Sequence, residues 1–284
     1  MVGNIGIIGI GPIGIHFVGK LKDGGHNTIV YDIDKEQMKK ASEIGATLAD
    51  SVHELAGQAD VIILALPGDF AVEAVMEGED GLLAVLKPKH IVIDTGTSSP
   101  RLDCYYERQC VKKGAGFLEA PVTWRAPGLI IMPAGERKLF DAVEPLIKSI
   151  SYKYRYVGES GRGQELKAVN QLLFSARCAI AAETVAYAEM LGFGKEELED
   201  FLEFGLAPSL YGDDFTKING TVRLNFKDLK YAQEIAFDHK ICLPVTAAVY
   251  QAFLHTVIHG GGECDQNGII RYWRDINKME VDVL

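Results

Sequence analysis

The sequence predicts an α/β, doubly wound N-terminal domain followed by an all-α C-terminal domain. In the first half, short and continuous apolar runs alternate with amphipathic segments, a pattern typical of a parallel sheet covered by helices on both faces. In the second half, only helical patterns follow one another. The pattern changes near Gly161–Gly163, so we predict domains 1–162 and 163–284. No internal repeat or low-complexity linker separates them, which indicates that the long helix itself joins the domains.

The apolar runs and the helix-start signals define the predicted elements. Ser51 and Glu54 have the spacing of a capping box, and Pro100 after Ser99 suits a first helical position. The predicted strands are 5–10, 28–31, 61–66, 91–93, 117–121, 129–132 and 152–157. The helices predicted for the second half are 164–191, 195–204, 224–239, 244–259 and 268–278.

Composition excludes several classes of protein. The formal net charge of −10 disfavours a nucleic-acid surface, since phosphate binding needs clustered Lys and Arg. The apolar run 5–10 has no basic flank and is broken by Gly6 and Gly9, which predicts neither a signal peptide nor a membrane span. The five cysteines form no CxxC pair, and we therefore expect a reducing, cytoplasmic setting.

A GxGxxG motif at residues 9–14 follows a predicted strand and opens a predicted helix, the context of a Rossmann-type dinucleotide site. Gly9 permits the tight turn, Gly11 lets a pyrophosphate approach the backbone, and Gly14 allows close helix packing. The alternative is a glycine-rich turn in an unrelated α/β protein. The cofactor contacts predicted from this motif are Gly9, Gly11, Pro12, Ile13 and Gly14.

Asp32 ends the second predicted strand, 18 positions after Gly14. An acidic side chain there accepts hydrogen bonds from the adenosine ribose and repels a 2′-phosphate. Ile33 follows it, so no arginine is available to hold that phosphate. We therefore predict a preference for NAD over NADP, with a helix cap as the alternative role of Asp32.

Five motifs in order make the chain similar to the β-hydroxyacid dehydrogenases, the family of 3-hydroxyisobutyrate dehydrogenase, tartronate semialdehyde reductase and, more distantly, 6-phosphogluconate dehydrogenase. They are GIGPIG (9–14), DTGTSSP (94–100), APVT (120–123), GESGRGQELKAVNQ (158–171) and KDL (227–229). The resemblance covers nearly the whole chain. It implies hydride transfer between NAD and a small β-hydroxy acid or its semialdehyde, a substrate cleft between the domains, and a homodimer or homotetramer.

Within the fourth motif, the resemblance implies that Lys167 is the acid/base group. Lys167 lies in the first turns of a predicted helix, where the helix dipole and a nicotinamide cation lower the pKa of an amine toward working pH. Such a lysine can protonate a carbonyl oxygen as a hydride arrives. Asn170 and Gln171 share its helix face, within reach of the same ligand, and are predicted with it as catalytic-site residues. For Gln171, substrate orientation and structural polar packing are both open. Relatives usually carry Asn at both places, and Gln171 is one methylene longer.

The other motifs add predicted contacts. Leu66, Pro67, Thr97 and Lys227 are predicted to contact the cofactor, and Asp228 is expected to give structural support. Gly96 stands where relatives often have serine. Phe174 occupies the place of a glutamate in the phosphogluconate enzymes, so we do not expect oxidative decarboxylation of that type.

The segment after Val122 departs from the family. Thr123-Trp124-Arg125 stands where relatives have a serine and two glycines that help to bind a carboxylate. Arg125 offers a guanidinium that could clamp a carboxylate instead. Trp124 either stacks on the substrate or covers the core, and we favour the core. The predicted substrate-binding residues are Thr123, Trp124, Arg125, Lys167 and Gln171.

Two functions from other classes remain as alternatives: an imine reductase of the same fold, and a catalytically idle NAD-binding redox sensor. Lys167 disfavours both, because imine reductases of similar fold generally lack the catalytic lysine and a sensor needs no acid/base group in the cleft. His255 and His259 have i, i+4 spacing but no convincing third ligand, so no metal is predicted. Cys104 and Cys110 lack an activating partner and are not predicted nucleophiles.

Overall fold

The computed structural model of the chain describes residues 3–202, 207–212, 214–218 and 220–278. The chain divides into two units, Met1–Lys167 and Ala168–Leu284. Both the unit boundary and the predicted domain boundary at residue 162 fall within one continuous helix, Arg162–Met190.

A seven-stranded sheet organises the first unit. The strands of the unit are β1 (Ile5–Ile8), β2 (Thr28–Tyr31), β3 (Thr47–Leu48), β4 (Val61–Leu64), β5 (Ile91–Asp94), β6 (Gly116–Glu119), β7 (Val122–Arg125), β8 (Gly128–Ile131), β9 (Ala134–Gly135) and β10 (Lys153–Tyr154). The large sheet has the order β3-β2-β1-β4-β5-β6-β9. All its pairs are parallel except β6 with β9. The order 3-2-1-4-5-6 is that of doubly wound dinucleotide-binding sheets, and it confirms the predicted fold class.

A second, three-stranded sheet has the order β10-β8-β7. β8 pairs with β7 in antiparallel and with β10 in parallel orientation. The predicted strand 152–157 is reduced to Lys153–Tyr154. Strands β3, β7 and β9 were not predicted, because β3 and β9 have two residues each and because polar side chains interrupt β7.

Seven helices join the strands of the first unit. They are α1 (Pro12–Asp23), α2 (Lys35–Glu43), α3 (Val52–Gln58), α4 (Asp69–Met76), α5 (Leu82–Val85), α6 (Pro100–Lys112) and α7 (Arg137–Ile150). The predicted starts of α3 and α6 are confirmed, because Ser51 and Ser99 accept hydrogen bonds from backbone N–H groups of the first helical turns. In a capping box the Glu54 side chain would accept from Ser51 N. Here Glu54 Oε2 accepts from the preceding residue instead, Asp50 N, at 2.7 Å.

Both faces of the large sheet are covered by apolar side chains. Ile5 and Ile7 of β1 belong to one buried cluster, whereas Ile8 belongs to another. Side chains alternate between the faces of a strand, so these two clusters are the cores on either side of the sheet. A strand that is buried on both faces needs a continuous apolar sequence, which is the pattern that predicted these strands.

Apart from an isolated bridge between Thr221 and Asp265, the regular secondary structure described in the second unit is helical, as predicted. Most of α8 (Arg162–Met190) lies in it, followed by α9 (Lys195–Phe201), α10 (Val222–Asp238), α11 (Pro244–Thr256) and α12 (Ile270–Ile276). The predicted end of α9 at Phe204 lies outside the described residues. α11 ends earlier than predicted and continues as a π-helical turn, Val257–Gly261, in which Gly260 has φ +85°. None of the described helices is both long and apolar enough to cross a membrane.

Candidate active site

The turn between β1 and α1 leaves an open helix N-terminus at the carboxyl end of β1. Gly9 has φ +91°, and a Cβ atom there would lie 2.6 Å from the backbone oxygen of Ala65. A Cβ on Gly14 would lie 2.0 Å from the Gly9 oxygen. A Cβ on Gly11 would meet no atom within 4 Å, so the space beside it is open to a ligand. Gly11 also offers no side chain to cap α1, whose first N–H groups suit a pyrophosphate.

Asp32 joins the end of β2 to this turn. Its Oδ2 accepts from Ile10 N at 2.6 Å, and its Oδ1 accepts from Asp34 N at 2.8 Å. The residue that caps α2 is Asp34, which accepts from Glu36 N, so the alternative role of Asp32 as the cap is wrong. Ile33 beside it is 90% exposed. A carboxylate held at the end of β2 and an open helix N-terminus fit the ribose and pyrophosphate of a dinucleotide.

The other predicted cofactor contacts of the first unit follow the neighbouring strands. Leu66 and Pro67 follow β4, and Thr97 follows β5. β1, β4 and β5 pair in parallel, so their carboxyl ends share the sheet edge at which α1 begins. A Cβ on Gly96 would lie 2.7 Å from the backbone oxygen of Leu66, which accounts for the glycine at this position.

The first turn of α8 is tied to the same edge of the sheet. Gly163 N donates to Glu119 Oε1, at the end of β6, over 2.6 Å. The Gln164 Nε2 amide group lies 3.1 Å from the Gly96 oxygen, 3.0 Å from Ser98 Oγ and 2.9 Å from Asp103 Oδ2. An amide has two N–H bonds, so it donates to two of these three acceptors at a time. The start of α8 is therefore fixed by strands β5 and β6 and by helix α6.

Three fully buried carboxyl groups, Asp94, Asp103 and Glu119, lie around Gln164; we call them the carboxylate cluster. Burial, followed by the charge of Asp94, raises the pKa of Asp103 well above its usual range. Burial also raises the pKa of Glu119, to about 7, although backbone N–H groups of the α8 turn oppose the shift. The charge of Glu119 raises the pKa of Asp103 further. The pair therefore holds at least one proton in neutral solution.

This proton gives an expected pH dependence of stability. The folded state keeps protons on Asp103 and Glu119 that the unfolded chain loses near pH 4 to 4.5. Stability should therefore fall as the pH rises from about 5 through the folded pKa of Glu119, about 7. The contribution of Glu119 is on the order of 3 kcal/mol.

The measurement is urea unfolding between pH 5 and 8.5 for the wild type and for Glu119→Gln, whose carboxamide imitates the protonated acid. We expect the variant to lose much less stability than the wild type over this range. Parallel losses in both proteins would contradict the assignment of the proton to the cluster.

Lys167 lies in the second turn of α8, three residues after Gln164, and is 6% exposed. Lysines are seldom buried to this degree, because a desolvated ammonium is costly. This setting suits a group that must both donate and accept a proton.

In the second unit, Gln171 is held by α10. Its Nε2 donates to Asp228 Oδ2 at 2.5 Å, and Asn170 Nδ2 donates to its Oε1 at 2.9 Å. Gln171 is buried, whereas Asn170 is exposed. Lys227 Nζ lies 3.3 Å from Asp228 Oδ1 and 5.3 Å from the centre of the Tyr231 ring. The expected supporting role of Asp228 is consistent with its position between Gln171 and Lys227.

The segment that departs from the family forms strand β7. Trp124 is 61% exposed and meets the ring of His16 on α1 edge-on, with centroids 5.4 Å apart. The interpretation of Trp124 as a core residue is therefore wrong, because its side chain lies on the open face of an edge strand. Thr123 is half-buried. Arg125 is exposed and makes no ion pair within the described part of the chain, which leaves its guanidinium available to an anion.

His255 and His259 stack with ring centroids 4.0 Å apart, and His259 Nδ1 lies 2.8 Å from the His255 oxygen. Across the described ranges, no group of three His, Cys, Asp or Glu side chains could hold a metal ion.

Three buried residues of this site, Gln164, Asp103 and Glu119, were not among the predicted site residues. A signal for Glu119 was present: it is a carboxyl group at the end of an apolar run, next to the APVT motif. Gln164 gave no local signal, because its side chain bonds to residues that are 61 or more positions away. Asp103 lies inside a predicted helix, five residues after Ser98, whose hydroxyl it accepts from.

Two family models match the chain. Residues 4–158 match the NAD binding domain of 6-phosphogluconate dehydrogenase, and residues 161–273 match the NAD-binding model of NADP-dependent 3-hydroxyisobutyrate dehydrogenase. The chain is 25% identical to 2-(hydroxymethyl)glutarate dehydrogenase of Eubacterium barkeri, over 98% of this chain and 97% of the relative. It is 28% identical to 2-hydroxy-3-oxopropionate reductase of Escherichia coli, over 94% and 96%.

A crystal structure of 3-hydroxyisobutyrate dehydrogenase from Salmonella typhimurium has a similar fold. The TM-score is 0.86 at 22% identity, and the match covers 95% of this chain and 99% of that one. Fold, motifs and family models together define an NAD(P)-dependent oxidoreductase that acts on a CH–OH group. The chain belongs to the β-hydroxyacid dehydrogenase family.

Proposed function

We propose that the chain interconverts a small hydroxy acid and its semialdehyde, 3-hydroxyisobutyrate-like or 4-hydroxybutyrate-like, with NAD as hydride carrier and Lys167 as general acid/base. The observation that carries the proposal is a buried lysine in the second turn of the helix that begins at the cofactor edge of the sheet. The names of the relatives, a dehydrogenase of 2-(hydroxymethyl)glutarate and a reductase of 2-hydroxy-3-oxopropionate, support a small carboxylate substrate.

Bound NAD supplies or accepts the hydride at the substrate carbon. In the reductive direction the Lys167 ammonium donates its proton to the carbonyl oxygen and becomes a neutral amine, and in the oxidative direction the neutral amine takes the hydroxyl proton. Gln171, held by Asp228, orients the substrate oxygen. Arg125 binds the substrate carboxylate through its two parallel N–H groups.

The experiment is turnover of the purified chain with NAD and a panel of 3-hydroxy and 4-hydroxy acids, followed by the absorbance of NADH. We expect turnover with small members of the panel. Reduction of cyclic imines with added NADH or NADPH, by a chain that turns over no acid, would favour the imine reductase. Tight NAD binding without turnover of any compound would favour the redox sensor.

We expect NAD to be preferred over NADP, because the Asp32 carboxylate lies at the end of β2 and Ile33 supplies no cation. The combined change Asp32→Ser and Ile33→Arg should shift the ratio of kcat/KM values toward NADP, since it removes the repulsion and adds a phosphate partner. Ile33→Arg alone is the matched control, because it retains the Asp32 bonds to Ile10 and Asp34. A wild type that prefers NADP, or a double variant with an unchanged ratio, would contradict this assignment.

We also propose a homodimer or homotetramer in a reducing, cytoplasmic setting. The outer side of α8 supports an assembly, because large apolar side chains there are more than half exposed, among them Val169, Leu173, Ile180 and Tyr187. Sedimentation equilibrium of the full chain distinguishes a monomer from either oligomer.

A further inference from the structure

Gln164 is placed to control the direction of α8 at its first turn. The residue is 2% exposed, and both ends of its carboxamide are engaged. Its Nε2 group reaches Gly96, Ser98 and Asp103, while its Oε1 accepts from Ser98 N at 3.3 Å. One side chain therefore connects α8 with the loop after β5 and with α6.

The neighbouring residue holds the same turn from the other side. Gly163 N donates to Glu119 Oε1 over 2.6 Å, and a Cβ on Gly163 would lie 2.6 Å from the Met132 backbone oxygen. The first turn of α8 thus packs closely against the ends of β6 and β8, and there is no room for a side chain at Gly163. Rotation of this turn would break the bonds of both Gly163 and Gln164.

The position of Lys167 depends on this turn. Residues at i and i+3 project from the same side of a helix, so Gln164 and Lys167 are neighbours on α8. They are separated by about 4.5 Å along the helix axis. Because the two residues are on one rigid helix, a tilt or rotation at Gln164 also moves the Lys167 amine. A displacement of about 1 Å in a reacting group can lower the rate by up to about 10²-fold.

We propose that Gln164 is a positioning residue: by bonding the Gly96–Ser98 loop to the first turn of α8, it sets the direction from which the Lys167 amine meets the substrate oxygen. This inference rests on the proposed acid/base role of Lys167. It assigns to Gln164 an effect on the proton-transfer step that is separate from its contribution to folding.

The test is a double-mutant cycle of the full chain with Gln164→Leu and Lys167→Met, measured as kcat for oxidation of the best hydroxy acid. Gln164→Leu should lower kcat about 10-fold to 10²-fold when Lys167 is present. In the Lys167→Met background the same change should cost less than about threefold, since no amine remains to be positioned. The dissociation constant of NADH, measured by fluorescence, should change less than kcat, because the predicted pyrophosphate and ribose contacts lie at the β1–α1 turn and at the end of β2, and only Thr97 lies in the loop that Gln164 bonds.

Equal losses in both backgrounds would overturn the positioning role and leave Gln164 a structural residue. If Lys167→Met alone keeps normal turnover, the proposed function itself has failed, and the cycle shows this separately.

The matched control is His90→Leu. His90 is 3% exposed, accepts from Lys87 N at 3.2 Å and lies at the opposite, amino end of β5. It should reduce thermal stability without lowering kcat more than about twofold, in either background. If Gln164→Leu does not fold, Gln164→Asn makes the same test, because its carboxamide is too short to reach both Gly96 and Asp103. A Gln164→Asn chain with unchanged kcat would likewise overturn the proposal.

Discussion

Lys167→Met should lower kcat by about 10² to 10⁴-fold, the usual contribution of general acid/base catalysis. Methionine has nearly the length of lysine but carries no proton, and it suits a residue that is 6% exposed. The change therefore removes the chemistry with little loss of packing. The measurement is steady-state turnover of the hydroxy acid, with NADH binding determined in parallel and expected within a few-fold of the wild type.

Lys230→Met is the matched control, because Lys230 is an exposed lysine of α10 in an i, i+4 ion pair with Glu234. It should leave kcat within about twofold, as surface ion pairs contribute little. Circular dichroism verifies that each variant is folded. If folded Lys167→Met keeps near-normal turnover, Lys167 is not the acid/base group, and the proton transfer would be assigned to water or to Lys227.

Arg125→Ala should raise KM for the carboxylate substrate by roughly tenfold or more, because a charge-assisted hydrogen bond is worth about 1.5 to 3 kcal/mol. The affinity for NAD should hardly change. Arg125→Lys retains the charge but loses the planar fork, and an intermediate KM is expected. The measurement is KM for the acid at saturating NAD.

Arg137→Ala is the control for a lost surface arginine, since Arg137 pairs with the exposed Asp141 on α7. It should leave KM unchanged. An unchanged KM in Arg125→Ala as well would show that the substrate anion is bound elsewhere.

The sequence predicted the parts of the fold that local patterns determine. β1, β2, β4 and β5 are buried on both faces, so their continuous apolar runs could be identified directly, and the serine before α3 marked its start. Gly9 and Gly14 could be assigned because their roles depend on a backbone turn and a close approach within six residues.

Other features could not be predicted, because they depend on contacts between distant segments. Asp32 and Asp34 are neighbouring carboxylates, and the sequence does not show which of them caps α2. In the structure Asp32 accepts from Ile10 N on a distant turn, and Asp34 is the cap. The exposure of Trp124 could not be predicted from the sequence. β7 is an edge strand with one open face, and the sequence does not show which face an aromatic side chain occupies. The carboxylate cluster brings together three acids from different elements, which no local pattern indicates.

The acid/base role of Lys167 is the central claim, and the pH dependence of alcohol oxidation tests it most directly. The wild-type rate of NADH formation should rise with pH and then level as Lys167 loses its proton, since the neutral amine is the form that accepts the hydroxyl proton. Residual oxidation by folded Lys167→Met should lack this inflection. The same inflection in the variant would assign the titration to another group and contradict the role of Lys167.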